Sequence, residues 1–258
     1  MLRSGIVVFF LSALSVFAQP SDKYTSEYAR FYTAEDLFEK QKYSAAREEF
    51  QLFMEEHDDE QDPLFVKAQY YHAMSALHLY HADAEKRLLA FLQEHPESEQ
   101  RQNIYMELGR HYYRKKKYPE TIEWLTQIDL YDLEAEDRDE YYFKLGYSYF
   151  REKEHKKARD AFFEVINTES QYQSPALYYY SHIAYEEKNY QTALEGFEKL
   201  KDNPNFQQTV PYYITQIYYL QGNYDKLLEY APGIVDSSNV KNEVAMSHLI
   251  GDAYYRIG

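Results

Sequence analysis

The stretch DEYYFKLGYSYFREKEHKKARDAFFEVI, residues 139–166, reads as two short helices folded against one another. Tyr142, Leu145, Gly146 and Tyr149 stand at i, i+3, i+4 and i+7, and Ala158, Ala161, Phe162, Val165 and Ile166 repeat that spacing, so each half carries one apolar stripe. The polar Glu152-Lys153-Glu154 between them allows only a tight, antiparallel connection. Gly146 is the residue that needs a reason, since glycine in a helix interior costs about 1 kcal/mol relative to alanine. The spacing predicts that it lets the first helix approach the second closely, with Ala158, twelve positions on, as the small residue opposite it.

With that glycine as an anchor, the same arrangement recurs along the chain: an aromatic residue or histidine nine positions later and, in most copies, a small one twelve later. The sets are Ala34/Tyr43/Ala46, His72/His81/Ala84, Gly109/Tyr118/Thr121, Gly146/His155/Ala158, Ser181/Tyr190/Ala193 and Thr215/Tyr224/Leu227, and a seventh opens at Gly251. The turn positions 43, 81, 118, 155, 190 and 224 lie 38, 37, 37, 35 and 34 residues apart, an interval that belongs to stacked helix pairs. Local signals agree. Asp62-Pro63 and Ser174-Pro175 each put a capping side chain before a proline suited to the first helical position, and Pro119 follows Tyr118 in that role. Lys188-Asn189 and Gly222-Asn223 supply turn residues that tolerate a left-handed backbone. Pro232-Gly233 is expected to end or kink the second helix of the sixth pair.

In these residues the chain resembles the tetratricopeptide repeat (TPR) family, over about residues 25–258. That family's helix pairs carry a small residue in the first helix, a tyrosine near the turn, an alanine in the second helix and a bulky apolar residue four positions further, here Phe50, Leu88, Leu125, Phe162 and Phe197. Tyr105 and Tyr142 stand where the family has tryptophan, only Pro96 matches its closing proline, and the sixth pair has Leu227 and Ala231 where alanine and phenylalanine are usual. The resemblance implies an all-α fold, a right-handed alpha-alpha superhelix of antiparallel helix pairs, with about six repeats and the start of a seventh over residues 19–258. In such an array each repeat buries its face on its neighbours, and stability sums along the chain.

The resemblance also implies a surface. By the family's register, the first helix of each pair lines the concave side, and the positions three before and one after the anchor look across it. They hold Phe31, Gln69, Met106, Phe143, Tyr178, Tyr212 and His248, and Glu35, Ala73, Arg110, Tyr147, His182, Gln216 and Asp252. Chaperone-binding members carry lysine and asparagine at such positions to clamp a carboxylate, and this chain lacks that clamp. Arg110, Tyr147, Tyr178, His182, Tyr212 and Gln216 form instead a candidate groove of rigid, amphipathic side chains suited to an extended peptide, or to a sugar by stacking. The chain holds 30 tyrosines, and packing between repeats accounts for a large part of them.

Composition narrows the function classes. With 28 Lys and Arg against 43 Asp and Glu, the net charge of −15 argues against nucleic acid and against direct binding to anionic membranes. Lys115-Lys116-Lys117 reads as a solvated turn between helices, and the acidic run Glu55 to Glu60 as a solvated loop. Arg3 and the apolar run Ile6 to Phe17, closed by Val16-Phe17-Ala18, read as a secretory signal over residues 1–18. The expected location is therefore the periplasm or the outer-membrane surface. The array resembles those of outer-membrane assembly lipoproteins, but cysteine is absent, so neither a disulfide nor a lipid anchor on cysteine is expected. No phosphate-binding glycine loop, G-x-S-x-G elbow or H-E-x-x-H occurs, and no enzyme activity or cofactor is expected. His78, His81 and Glu85 have a loose metal-ligand spacing, but the repeat register puts a helix end between them, and no metal is expected.

These readings converge on a non-enzymatic protein-protein interaction scaffold of a bacterial cell envelope. A peptide- or glycan-binding module serving an exported enzyme or transporter is the alternative. The last stretch, Glu243 to Gly258, reads as a first helix whose Val244, Leu249, Ile250, Tyr254 and Tyr255 expect a covering partner. A longer chain, or self-association through that uncapped repeat, is expected there.

Overall fold

The computed structural model describes residues 27–237 and 240–258; the expected signal at residues 1–18 lies outside them. The described residues form thirteen α-helices and one short 3-10 turn, and no strand. They fall in two compact units that divide after Ser98. The first unit holds α1 (Ala29–Glu39), α2 (Tyr43–Glu56), α3 (Pro63–His78) and α4 (Ala84–Glu94). The second holds α5 (Arg101–Arg114), α6 (Tyr118–Leu125), α7 (Ala135–Arg151), α8 (His155–Phe163), α9 (Gln173–Glu186), α10 (Tyr190–Leu200), α11 (Val210–Leu220), α12 (Tyr224–Ser237) and α13 (Glu243–Ile257). Within each unit every helix packs on the next. The fold is an all-α array of antiparallel helix pairs.

The anchors do what their size suggests. A Cβ on Gly146 would lie 2.9 Å from Phe162 Cδ1 and 3.3 Å from the carbonyl oxygen of Ala158, so α7 and α8 approach as closely as a glycine permits. Ala158 meets the glycine through its backbone, and the side chain in contact is Phe162. Gly109 stands in the same relation to Leu125. In the fifth pair the roles are exchanged: the glycine is Gly196 on α10, and it faces the hydroxyl of Ser181 on α9. Ala46, Ala84, Thr121, Ala158, Ala193 and Leu227 are all buried on the second helices.

Each pair turns in the same way. Gln41, Tyr80, Lys116, Lys153, Lys188 and Gly222 adopt the left-handed conformation, with φ between 58° and 71°. Their own amides bond three residues back, as in Lys116 N to Tyr113 O, and the next amide bonds five back, as in Lys117 N to Tyr112 O. This paired bonding closes the last turn of a helix and satisfies two carbonyls that would otherwise lack donors. Only one of the six positions is glycine, although a side chain there is strained.

The second pair departs from the expected register. Its left-handed residue is Tyr80, seven positions after Ala73, as Lys153 is seven after Gly146. Ala73, not His72, is therefore the anchor, and the turn from Tyr80 to Ala84 is one residue shorter than that from Lys153 to Ala158. Two local signals also resolve differently. Asp62 caps α3 as expected, its Oδ1 accepting from Leu64 N at 2.8 Å, but α9 begins at Gln173, so Ser174 is already inside the helix and does not cap it. Of the end or kink expected at Pro232-Gly233, the end does not occur, since α12 carries Pro232 inside it and runs on to Ser237. On α13, Leu249 and Ile250 pack partly on the core of the last pairs, whereas Val244, Tyr254 and Tyr255 are exposed.

Aromatic stacking joins successive pairs. Two positions before the anchor, Tyr71, Tyr179 and Tyr213 lie flat on the bulky residue of the preceding second helix. The ring pairs are Tyr71 on Phe50 at 5.3 Å, Tyr179 on Phe162 at 5.7 Å and Tyr213 on Phe197 at 5.0 Å, with interplanar angles of 11°, 16° and 12°. Burial of such rings and their mutual orientation contribute together.

Candidate functional site

All six candidate groove residues lie in the second unit, on its first helices. Arg110 is on α5, Tyr147 on α7, Tyr178 and His182 on α9, and Tyr212 and Gln216 on α11. Each is half-buried, with part of its side chain exposed. Tyr178 and His182 stand together, their rings 6.1 Å apart, and both meet Tyr213 of α11, at 6.3 and 5.4 Å. Tyr212 and Gln216 are joined by a hydrogen-bond chain: Tyr185 Oη donates to Gln216 Oε1 at 2.9 Å, and Gln216 Nε2 donates to Tyr212 Oη at 2.8 Å. Tyr212 accepts in that chain, which leaves its own O–H to act as a donor.

Tyr147 belongs to a second group. Its ring meets Tyr113, Tyr118 and Tyr179 edge to face at 5.7, 5.7 and 5.0 Å. The Arg151 guanidinium covers this group, 4.9 Å from the Tyr118 ring centre, and Nη1 donates to Tyr118 Oη at 3.2 Å and Tyr147 Oη at 3.3 Å.

Arg110 is held by carboxylates and reaches the second group only through Glu140 and Lys144, whose Nζ lies over the Tyr113 ring. Its guanidinium donates to Glu140 through Nε and Nη2 at 2.9 and 2.8 Å, to Glu107 at 2.7 Å and to Asp137 at 2.6 Å. Three carboxylates already hold it, so it presents little positive potential to an anionic ligand. Burial pushes the Glu140 carboxyl up, but the hydrogen bond and charge of Arg110, joined by Lys144, outweigh it and hold the group below the ordinary carboxylate range.

The ring cluster carries no charge near pH 7. Burial lowers the His182 pKa, with Glu186 opposing only in part, so the imidazole stays uncharged. Burial raises the phenol of Tyr178, and burial with the neighbouring Tyr147 pushes Tyr179 up to about 12. Around Tyr178, His182, Tyr212 and Gln216 the candidate residues thus offer hydroxyls, an amide and ring faces, which is chemistry for amides and apolar side chains.

The register places these positions but not their partners. Tyr113 and Tyr185 occupy one register position, four after the anchor, as do Phe38, Phe150 and Tyr219, and that recurrence is the signal that could have found them. The His78, His81 and Glu85 set is dispersed: His78 stacks on Tyr43 at 4.3 Å and His81 is exposed in the turn. Among the described residues no group of three histidines or carboxylates is arranged to hold a metal. No helix among them is long and apolar enough to cross a membrane.

No family model and no curated protein matches the sequence, whereas solved structures match the fold. The C-terminal part of a TPR repeat-containing protein from Cytophaga hutchinsonii superposes with a TM-score of 0.62 at 16% identity, over 88% of this chain and 89% of that one. A tetratricopeptide repeat protein from Parabacteroides merdae gives a TM-score of 0.54 at 13% identity, over 90% and 87% of the two chains. PilF of Pseudomonas aeruginosa gives 0.55 at 13% identity, over 88% of this chain and 99% of its own. Helix pairs spaced 34 to 38 residues apart, small anchors and these neighbours agree: the chain has the tetratricopeptide-repeat fold.

Proposed function

We propose that the protein is a non-enzymatic scaffold of a bacterial cell envelope that binds an extended segment of a protein partner along α7, α9 and α11. The fold itself supports the coarser part, since helix-pair arrays are built to present a long surface to other proteins. The observation that carries the finer part is the hydrogen-bond chain Tyr185–Gln216–Tyr212, which fixes an amide and a phenol on a half-buried face beside the ring cluster of Tyr178, His182 and Tyr213. Fixed polar groups beside ring faces bind an extended backbone and its apolar side chains at small entropic cost. Envelope placement is supported by the N-terminal pattern of Arg3 and the apolar run after it.

The reading is tested with the double variant Tyr212→Ala, Gln216→Ala. After crosslinking and affinity capture from an envelope extract, the wild type should retain a defined partner that the variant loses, at equal helicity by circular dichroism. Equal capture by both proteins would refute the groove, and loss of helicity in the variant would assign these residues to packing.

A further inference from the structure

A recess lies away from the candidate groove residues. Helices α10, α11 and α12 enclose an open cavity of about 850 Å³, within the size range of ligand sites. Pro211 and Tyr218 of α11 line it, and on a helix of 3.6 residues per turn they stand roughly 130° round from Tyr212 and Gln216. Its walls combine two tyrosine rings with ionised groups. Tyr218 and Tyr230 meet edge to face at 6.1 Å. Glu198, Asp202 and Glu229 contribute three carboxylates against the two ammonium groups of Lys201 and Lys226.

The charges are unequally used. Glu198 is satisfied within the wall, accepting from Tyr218 Oη at 3.1 Å and pairing with Lys201 Nζ at 3.1 Å. Asp202 and Glu229 form no ion pair among the described residues, and the buried Tyr230 hydroxyl has no hydrogen-bond partner. Asp202 and Glu229 are exposed at the rim, while the unpartnered buried hydroxyl of Tyr230 marks the wall as one that accommodates a polar group.

We propose that this cavity binds the guanidinium or ammonium end of an organic cation, presented by a basic side chain of a peptide. Asp202 and Glu229 supply charge-assisted acceptors for it. The Tyr218 and Tyr230 rings supply faces that attract a cation, and Pro211 and Ile234 supply an apolar wall for the methylene stem. An anion would meet the excess of carboxylate instead. The site is separate from the proposed peptide groove and does not depend on it.

The test is fluorescence anisotropy with a labelled peptide of alternating arginine and serine, a matched peptide of glutamate and serine, and unlabelled spermidine as competitor. A Cβ on Gly233, which lines the cavity, would meet nothing within 4 Å, so Gly233→Phe adds a ring at the cavity wall without a clash at its first carbon. The arginine peptide should bind saturably and the glutamate peptide should not, and Gly233→Phe should weaken binding at least tenfold. Displacement by spermidine would show that the cationic end suffices; failure to displace would assign the binding to a basic side chain carried on a peptide. A second variant, Asp202→Asn with Glu229→Gln, should weaken binding by a similar factor and decides the matter should Gly233→Phe fail to fold. No saturable binding to the wild type, or binding within about twofold of wild type in the folded variants, overturns the proposal, the latter because general attraction to a chain of net charge −15 would then explain it.

Discussion

Where α9 meets α8 and α11 meets α10, a tyrosine two positions before the anchor stacks on a buried phenylalanine. Where α7 meets α6, the corresponding residues are Lys144 and Leu125. Lys144 Nζ lies 4.5 Å over the Tyr113 ring and 3.2 Å from Glu140, which in turn holds Arg110. At the first kind of junction the stacked rings bury apolar surface, although the ion pair Arg159–Glu187 also links α8 to the end of α9. The second buries Leu125 in an apolar cluster with Tyr141 and Leu145, and beside it an ion network links α7 to α5, with side-chain exposures of 21%, 16% and 18% for Arg110, Glu107 and Glu140; that network responds to charge. One array therefore contains joints with different chemical sensitivities.

The largest test of this contrast is Phe197→Ala. Phe197 is fully buried and carries the stacked Tyr213, so its loss should cost about 3–5 kcal/mol. Chemical denaturation should show the drop at pH 7 and at pH 5 alike; a cost below about 1 kcal/mol would remove the stack as a determinant.

Gly146→Leu comes next. The added side chain must displace Phe162, and overpacking should cost about 1–3 kcal/mol despite the better helix propensity of leucine. An unchanged or higher thermal midpoint by circular dichroism would refute the close approach of α7 and α8.

The smallest effect is expected at the ionic joint. Arg110→Ala leaves Glu107 and Glu140 partly buried and without their main partner, at a cost of about 1–2 kcal/mol near pH 7 once solvent screening is allowed for. Because the Glu140 carboxyl is held below its ordinary range in the folded state, its contribution is fully present above that range and is lost as pH falls through the lowered value. The difference between wild type and variant should therefore narrow from pH 7 to about pH 3. A difference that stays constant over that span would show that Arg110 contributes packing alone.

Periodicity carries most of the fold in the sequence. Small anchors, bulky partners and polar turns recur because each repeat must bury the same face. Spacing alone misregisters the second pair by one position, because His72 and Ala73 are adjacent and the turn after them is shortened. Tyr71, two before Ala73 as Tyr179 is two before Ser181, is the signal that resolves it. Ser174-Pro175 misleads because the helix has already begun at Gln173. The candidate groove residues are legible only as positions. Apart from its neighbour Glu107, the carboxylates that hold Arg110 lie 27 and 30 residues away on another helix, and no local spacing reveals them.

The left-handed turns carry a consequence for proteolysis. Lys116, Lys153 and Lys188 are exposed, one in each of three successive turns, 37 and 35 residues apart. Each is a cleavage point for a lysine-directed protease, yet a backbone locked at positive φ cannot adopt the extended form such an enzyme requires. Cleavage at each therefore waits until its own repeat frays, and the order in which the fragments appear reads out local opening one repeat at a time.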